Sequence, residues 1–415
     1  MLHLMMATGA APPVDAALLM RRHVVRDAAS RFALCGDGTP AVYYVRRCNS
    51  TYYHDESCWG IVQKWIIAFE SGSGLCYDAA SCARRAAASP SSVSSFGANA
   101  TRVVDGILLS APETNPNYYK ATGVFVPSCS SDEWGANVSA SGVATPAAAL
   151  RHFRGRAIAR AVLEDLRLLP PFGANASRTF ARADEVLLVG PAALAAQFND
   201  LVATALPRTV GSASFLCDGC GALDLAPRVS VAQQPCTSSD DCPPLVALRR
   251  AFAFWDALHV ARDGSVPRPP PFAGCKSAAS DAAACLALPQ LLASAGARGR
   301  GRLLIYAPQY SSLALQQLRA WPVASAATRR FARDYASALR RALAVAPHAF
   351  SAACDSPTFG TLSHRGTFYI KTNGEQFTGS LAVAISEWLS NTWSGNFTDT
   401  CSGFDCNALQ CGAAR

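Results

Sequence analysis

Three short, continuous apolar runs set the strongest limit on how this chain can fold. They cover residues 65–69, 186–189 and 303–307. Runs this short suit strands that are buried on both faces, as in a parallel sheet. Segments with apolar residues at helical spacing lie between them, for example 153–169 and 191–206. Alternation of strands and helices predicts an α/β domain with a mainly parallel sheet and crossover helices.

The 16 cysteines of this 415-residue chain indicate the compartment. Cytosolic proteins rarely keep so many, whereas secreted domains use them in disulfides. Residues 207–300 hold six of them among most of the loops, which predicts a loop-rich, disulfide-stapled periphery. Cys217 and Cys220 form the only Cys-x-x-Cys pair, and no second pair or His-x3-His follows. The spacing therefore predicts neither a metal site nor a cofactor.

Sequons for N-glycosylation agree with a secreted or extracellular protein. They begin at five asparagines: Asn49, Asn99, Asn137, Asn175 and Asn396. Residues 1–25 do not show an early positive charge followed by an apolar run, so a signal peptide is not evident there. We predict a poorly ordered leader or incomplete signal region over 1–25, one domain over 26–400 and a cysteine-rich tail over 401–415.

The charge and hydropathy of the chain narrow its partners. The formal net charge of +8 comes mainly from arginine. A basic surface could bind an acidic polysaccharide, but a solvated basic loop explains the same charge. No basic run is interleaved with aromatic residues, so nucleic-acid binding is not predicted. No run of about 18 apolar residues occurs, so a membrane span is not predicted.

Several ordered motifs resemble one known family. The segment from Gly106 to Gly135 has a Pro-Asn turn, a strand and a Cys-Ser-Ser-Asp loop. Together with Cys217-Asp-Gly and with the cysteines at 76, 82, 236 and 242, this segment makes the chain resemble the pectin acetylesterase and Notum family over about residues 32–400. The resemblance implies an α/β-hydrolase-like fold and a carboxylic ester hydrolase of the serine type. It also implies disulfide candidates, whose pairing stays open: Cys76, Cys82, Cys236 and Cys242.

The nucleophile and the acid expected from the resemblance are both replaced. The family turn Gly-Ser-Ser-Ala-Gly-Gly aligns with residues 190–195 here, which puts Ala192 at the nucleophile position. Ala192 has no hydroxyl, and Leu194 and Ala195 stand where the family has glycines. The acid of a triad orients and stabilises the imidazolium. Ser311 occupies the acid position, and a serine cannot offset the positive charge of the imidazolium.

Other site residues are carried over by the same resemblance. His364 in Leu-Ser-His matches the family base. The family has a cysteine three residues before this histidine, whereas here Cys354 lies ten residues before it. The oxyanion loop is altered and lacks the family tryptophan. The oxyanion-loop residues that we predict are Gly72, Ser73, Gly74 and Ala193. The pocket residues that we predict are Asp218, Ser130 and Ser131.

Two hypotheses of different class follow. In the first, the chain is a secreted family homologue that is inactive as a serine esterase and binds an acyl ligand or an acylated or acidic glycan. In the second, it is an active carboxylic ester hydrolase whose nucleophile has moved to Ser130, Ser131 or Ser311. A third hypothesis is that the chain is a structural extracellular glycoprotein with a collapsed pocket. We lean towards the absence of enzyme activity and expect a monomer.

Overall fold

The structure is a computed structural model that describes most of the chain. The residues it describes are 19–46, 62–71, 74–103, 106–108, 115, 118–139, 150, 152–171, 179–263, 272, 281–295, 302–353, 368–372, 375–379, 381–392 and 396–400. Predictions for His364, Gly72, Ser73, Asn49 and Asn175 lie outside these residues, as does the tail over 401–415.

The described elements alternate along the chain as the sequence predicts. The strands are β1 (Leu19–Val24), β2 (Val42–Arg46), β3 (Lys64–Phe69), β4 (Thr101–Val103), β5 (Thr122–Val126), β6 (Val138–Ser139), β7 (His152–Phe153), β8 (Glu185–Gly190), β9 (Ser212–Asp218), β10 (Arg302–Tyr306), β11 (Ala349–Ser351), β12 (Phe368–Thr372), β13 (Glu375–Gly379) and β14 (Phe397–Thr398). The helices are α1 (Ala79–Ala88), α2 (Gly155–Leu166), α3 (Ala192–Thr204), α4 (Pro244–Asp263), α5 (Leu288–Ala295), α6 (Ser312–Gln317), α7 (Ala326–Leu343) and α8 (Leu381–Leu389).

One sheet of ten described strands organises the fold. Its order is β14-β11-β10-β9-β8-β3-β5-β2-β1-β4. The strands from β14 to β5 all run parallel, while β2, β1 and β4 add antiparallel at one end. The predicted α/β class with a mainly parallel sheet is therefore confirmed.

The middle residues of β3, β8 and β10 are apolar because both faces of the sheet are covered. In β8, Val186 and Leu188 belong to one core cluster, whereas Leu187 and Val189 belong to another. Successive side chains of a strand point to opposite faces, so a strand buried on both faces cannot alternate with polar residues. The first cluster includes Ile158 of α2 and other helical residues. This packing fixes where the strands end, and with them the loops of the site.

The prediction of a poorly ordered leader over residues 1–25 is wrong for its last part. Leu19–Val24 form β1, which pairs with β2 and β4, and Met20 is fully buried. The strand forms because it pairs with two strands that are distant in sequence. A short run with two adjacent arginines, Arg21 and Arg22, carries no strong strand pattern of its own, but it completes the antiparallel end of the sheet. The ordered domain predicted to begin at residue 26 therefore begins by Leu19.

Disulfides staple the periphery, and this prediction is confirmed. Among the described residues, the structure joins the pairs Cys35–Cys129, Cys76–Cys82, Cys217–Cys220 and Cys236–Cys242. Cys285 is disulfide-bonded as well. The first bond ties the loop before β2 to the loop after β5, while the other three close short turns. Within the described ranges, we find no helix with the length and apolarity needed to cross a membrane.

Candidate functional site

A cavity of about 370 Å³ opens where the parallel strands β3, β8, β9 and β10 end. Ligands of open α/β sheets bind outside the carboxyl ends of the strands, and a volume of this size is common for small-molecule sites. The walls are mostly aliphatic, with a few polar groups. The residues that line it include Gly74, Leu75, Glu133, Ala192, Ala193, Asp218, Leu223, Asp240, Leu248, Leu286, Ser311 and Leu318.

The turn from β8 to α3 carries Ala192, the predicted nucleophile position. Ala192 lines the cavity and is the first residue of α3, with Pro191 at the N-cap in an extended conformation. Ala192 does not have the positive φ of a strained turn. Gly190 remains tightly packed, since a Cβ there would lie 3.1 Å from Leu194 Cδ1. The strand-turn-helix scaffold therefore persists as an ordinary helix start without a hydroxyl.

Ser311, at the predicted acid position, has a local structural role. Ser311 lines the cavity and is almost fully buried. It is the N-cap of α6, and its Oγ accepts a hydrogen bond of 3.3 Å from the backbone N–H of Ala314. Serine and aspartate are both good N-caps because a side-chain oxygen satisfies an orphan N–H of the first turn. The serine thus preserves the helix start while removing the negative charge.

The described part of the oxyanion loop is occupied by a side chain of the protein. Gly74 has a φ of +75°, a conformation that favours glycine. Its N–H donates to Glu133 Oε1 at 2.8 Å. An oxyanion hole needs N–H groups that are aimed at the reacting oxygen. The Gly74 amide already donates to a carboxylate, and Ala193, in the first turn of α3, also lines the cavity.

The Cys-Ser-Ser-Asp loop does not bring its serines to the cavity. Ser130 Oγ donates to Asp132 Oδ1 at 2.7 Å, and Ser131 Oγ donates to the carbonyl oxygen of Ser92 at 3.0 Å. Both serines are buried, and neither is among the residues that line the cavity. Their prediction as pocket residues does not match this geometry, because the loop turns inward to satisfy the buried Asp132.

Asp132 is the anchor of that loop. Besides the Ser130 hydroxyl, its carboxylate accepts hydrogen bonds from the N–H groups of Trp134, Ala136 and Gly155. Burial is the largest influence and raises the pKa of Asp132 to about 6, with these hydrogen bonds opposing the rise. Three residues near it have positive φ: Ser131, Glu133 and Trp134. Such strain persists only where the surroundings hold it, and here it turns Glu133 towards the cavity.

Asp218 lies at the end of β9, as a pocket residue should. It is buried and lines the cavity together with the following Gly219. The Cys217–Cys220 disulfide brackets this turn. The structure thus brings together Ala192, Ser311 and Asp218 around one cavity. His364 is outside the described residues, and the histidines whose side chains are described, His23, His152 and His348, are absent from the lining.

Sequence reasoning missed Glu133 and the aliphatic walls. Glu133 follows the Ser-Ser-Asp motif directly, and a carboxylate beside a predicted strand end could have drawn attention to it. Leu223, Leu248, Leu286 and Leu318 come from separate loops and helices that meet only in the fold. Their sequence context gives no signal of a shared site.

An α/β fold with a cavity at the ends of its parallel strands, next to a strand-turn-helix, defines the class of protein: an α/β protein with a ligand-sized cavity at the carboxyl edge of its sheet. The model of the pectinacetylesterase family matches residues 15–209, slightly less than half of the chain, so this part of the chain is similar to that family. This match accounts for the motifs from β1 to α3, including the turn that holds Ala192.

Similar proteins add detail to this assignment. A zebrafish protein named inactive palmitoleoyl-protein carboxylesterase notum1b is 35% identical over 100 residues, which are 24% of this chain and 63% of that protein. The human palmitoleoyl-protein carboxylesterase NOTUM is 28% identical over 231 residues, covering 54% of this chain and 40% of the human protein. The aligned part of this chain thus spans less than two thirds of either relative.

A solved structure supports the fold over nearly the whole chain. The Wnt deacylase Notum from Drosophila superposes with a TM-score of 0.70 at 21% sequence identity. The match covers 95% of this chain and 99% of that one. At this identity, the likeness establishes the architecture, and the chemistry must be argued from the residues of the cavity.

Proposed function

We propose that this chain binds an acyl group in the cavity and lacks the serine esterase activity of its relatives. The observation that carries the proposal is Ala192, which stands at the cavity wall as the first residue of an ordinary helix. In a serine hydrolase triad, removal of the nucleophilic serine lowers the turnover rate by a factor of about 10⁶, which is roughly 8 kcal/mol of transition-state stabilisation. The exchange of the acid for Ser311 removes a second part of the same machinery.

The chemistry of the walls supports an acyl ligand over an acidic glycan. The walls are formed mainly by leucine, alanine and proline, whereas carboxylates are the charged groups of the described lining. Burial of aliphatic surface favours an aliphatic chain by about 25 cal/mol per Å². Acidic sugars would meet like charges there. The relatives named palmitoleoyl-protein carboxylesterases support an acyl group carried by a protein as the natural ligand.

An active hydrolase with a relocated nucleophile is the second candidate. Ser311 supports it, because this serine borders the cavity. Against it, Ser311 Oγ already accepts the hydrogen bond that caps α6. A nucleophilic serine also needs a base within hydrogen-bond reach, and no histidine with a described side chain lines the cavity.

A serine-reactive fluorophosphonate with an octyl chain separates the two candidates. The proposal expects no covalent labelling of the purified protein, together with competition between the probe and octanamide for reversible binding. Ala192→Gly, which changes the same wall without adding a nucleophile, is the matched control for probe access. Covalent labelling of Ser311 would instead establish the hydrolase, and failure of both compounds to bind would reject an acyl-binding function.

We also infer that the protein is extracellular or passes through the secretory pathway. The disulfides of the described residues support this, since cytosolic thiols are kept reduced. Expression with a secretory leader should yield oxidised, soluble protein, whereas cytosolic expression should yield reduced protein of lower stability. Equal stability of the two products would argue against a disulfide-dependent, extracellular fold.

A further inference from the structure

Three separate segments each contribute a leucine to the lining of the cavity. Leu223 follows β9, Leu248 lies in α4, and Leu286 is the last residue of the short 3₁₀ helix Ala283–Leu286. Leu248 and Leu286 belong to one core cluster, whereas Leu223 belongs to another. Packing within a single apolar cluster therefore does not fix the position of Leu223 relative to the other two leucines.

The side chain of Arg249 joins these three segments. Its Nη2 donates to Asp224 Oδ2 at 3.0 Å and its Nη1 to Asp224 Oδ1 at 3.4 Å, while its Nε donates to Asp281 Oδ2 at 2.8 Å. Two parallel bonds to one carboxylate fix the plane of the guanidinium, which a point charge would not do. Along the chain, Asp224 directly follows Leu223, and Arg249 directly follows Leu248. The bridge thus connects the backbone beside two of the lining leucines.

Asp281 carries the bridge into the 3₁₀ helix. Its Oδ1 accepts a hydrogen bond of 3.2 Å from the backbone N–H of Ala284, while its Oδ2 accepts the bond from Arg249. The same helix ends at Leu286. One carboxylate therefore holds both Arg249 and the segment that supplies the third leucine.

The exposure of the bridge indicates a role in geometry more than in overall stability. The side chain of Arg249 is 40% exposed and that of Asp224 is 62% exposed. Ion pairs this exposed contribute little to the free energy of unfolding. A backbone hydrogen bond of 2.8 Å, from Leu288 N–H to the carbonyl oxygen of Ala222, also links the loop after β9 to α5. Loss of the bridge should therefore leave the fold intact while the wall of the cavity shifts.

We propose that Arg249 is a positioning residue that sets the spacing of the aliphatic wall in the acyl site. It acts through Asp224 and Asp281, which hold the segments of the three leucines together. This inference rests on the proposed acyl-binding function and adds the contact that shapes the site. An aliphatic chain gains from a wall only at close approach, because dispersion attraction falls steeply when a gap opens.

The experiment measures how strongly the cavity prefers a longer chain, by isothermal titration calorimetry with hexanamide and octanamide. Each buried methylene strengthens binding by about fourfold. The wild type should therefore bind octanamide at least about tenfold more tightly than hexanamide. Arg249→Met keeps an unbranched side chain and removes both ion pairs. It should reduce the preference to below about threefold and change the unfolding midpoint by less than about 4 °C.

Arg250→Met provides the matched control, since it removes the same charge at the next residue of α4. The guanidinium of Arg250 lies over the ring of Tyr77, at 5.6 Å from the ring centroid, and is not part of the bridge. The preference for octanamide should stay at the wild-type value. An equal loss in both variants would mean that net charge or a loosened helix sets the preference, and it would overturn the inference.

Asp224→Ala tests the bridge from its other side. This variant should also reduce the preference for octanamide, and the double variant with Arg249→Met should lose no more than Arg249→Met alone. Changes that act through one shared contact are not additive. Additive losses would contradict a single bridge. Should Arg249→Met not fold, Asp224→Ala still decides, because it keeps the arginine and its bond to Asp281.

The remaining outcomes separate this inference from the function on which it rests. If the wild type binds both amides equally well, or if Arg249→Met keeps the wild-type preference, acyl binding stands and the positioning role of Arg249 is rejected. If the wild type binds neither amide, the proposed function itself fails.

Discussion

At the residue scale, Ser311 stands at the predicted acid position and has a structural role in this fold. Its hydroxyl caps α6, a role that aspartate would fill as well. Ser311→Ala should lower the free energy of unfolding by about 1 kcal/mol, whereas Ser311→Thr, which keeps the capping hydroxyl, should lower it less. Urea unfolding followed by circular dichroism measures both. Equal losses in the two variants would show that the cap contributes nothing.

The raised pKa of Asp132 predicts that the stability of the protein depends on pH. Its native pKa is about 6, above the ordinary value of 3.8. Between these values the native state holds more protons than the unfolded chain, so the free energy of unfolding falls as pH rises from about 4 to 6. The contribution is at most about 3 kcal/mol, from about 1.4 kcal/mol per unit of pKa.

Asp132→Asn removes this titration and serves as the comparison. Chemical unfolding at several pH values should show a wild-type curve that declines towards pH 6 relative to the variant. Parallel curves for the two proteins over that window would contradict a buried carboxyl with a raised pKa. The absolute stability of the variant does not matter to this test, because only the slopes are compared.

At the scale of elements, the two kinds of disulfide should contribute differently. Cys35–Cys129 closes a sequence separation of 94 residues, whereas Cys76–Cys82 closes one of 6. In the chain-entropy model a loop near 100 residues is worth about 4.7 kcal/mol and a short loop clearly less. Replacement of Cys35 and Cys129 by alanine should therefore lower the unfolding midpoint more than the same change at Cys76 and Cys82. Equal shifts would speak against the entropic account.

The elements also show what a sequence can predict. The strands β3, β8 and β10 and the helices α2 and α3 follow from apolar runs and helical spacing, because their patterns are local. The strand β1 does not, since its Leu-Met-Arg-Arg text gains stability only by pairing with β2 and β4. The inward turn of Ser130 and Ser131 was likewise hidden, because the buried Asp132 beside them meets the Gly155 N–H of α2 only in the fold.

At the scale of the whole molecule, the predicted sequons have different surroundings. Asn99 is exposed. Asn396 is partly buried beside β14, and its Nδ2 donates to the carbonyl oxygen of Leu343 at 2.9 Å. Protein secreted from a eukaryotic cell should carry a glycan at Asn99 and none at Asn396, as read by peptide mass spectrometry. A glycan on Asn396 would contradict the packing of β14 against the end of α7.

The site as a whole was predictable where it repeats a family motif and hidden where it is particular to this fold. Ala192, Ser311 and Asp218 were named from sequence patterns and meet at one cavity. Glu133 and the leucine walls come from segments without a shared pattern, so only their packing reveals them. The replacement of the predicted nucleophile and acid is visible in the sequence, whereas the aliphatic lining of the cavity depends on the three-dimensional arrangement.

The most direct test of the account is the turnover of an aryl octanoate ester by the wild-type protein at a concentration that saturates binding. The ester should bind reversibly, and the phenol should be released at the rate seen in buffer alone. Release well above that rate, lost in Ser311→Ala or after fluorophosphonate treatment, would contradict the account and identify an active esterase with a relocated nucleophile.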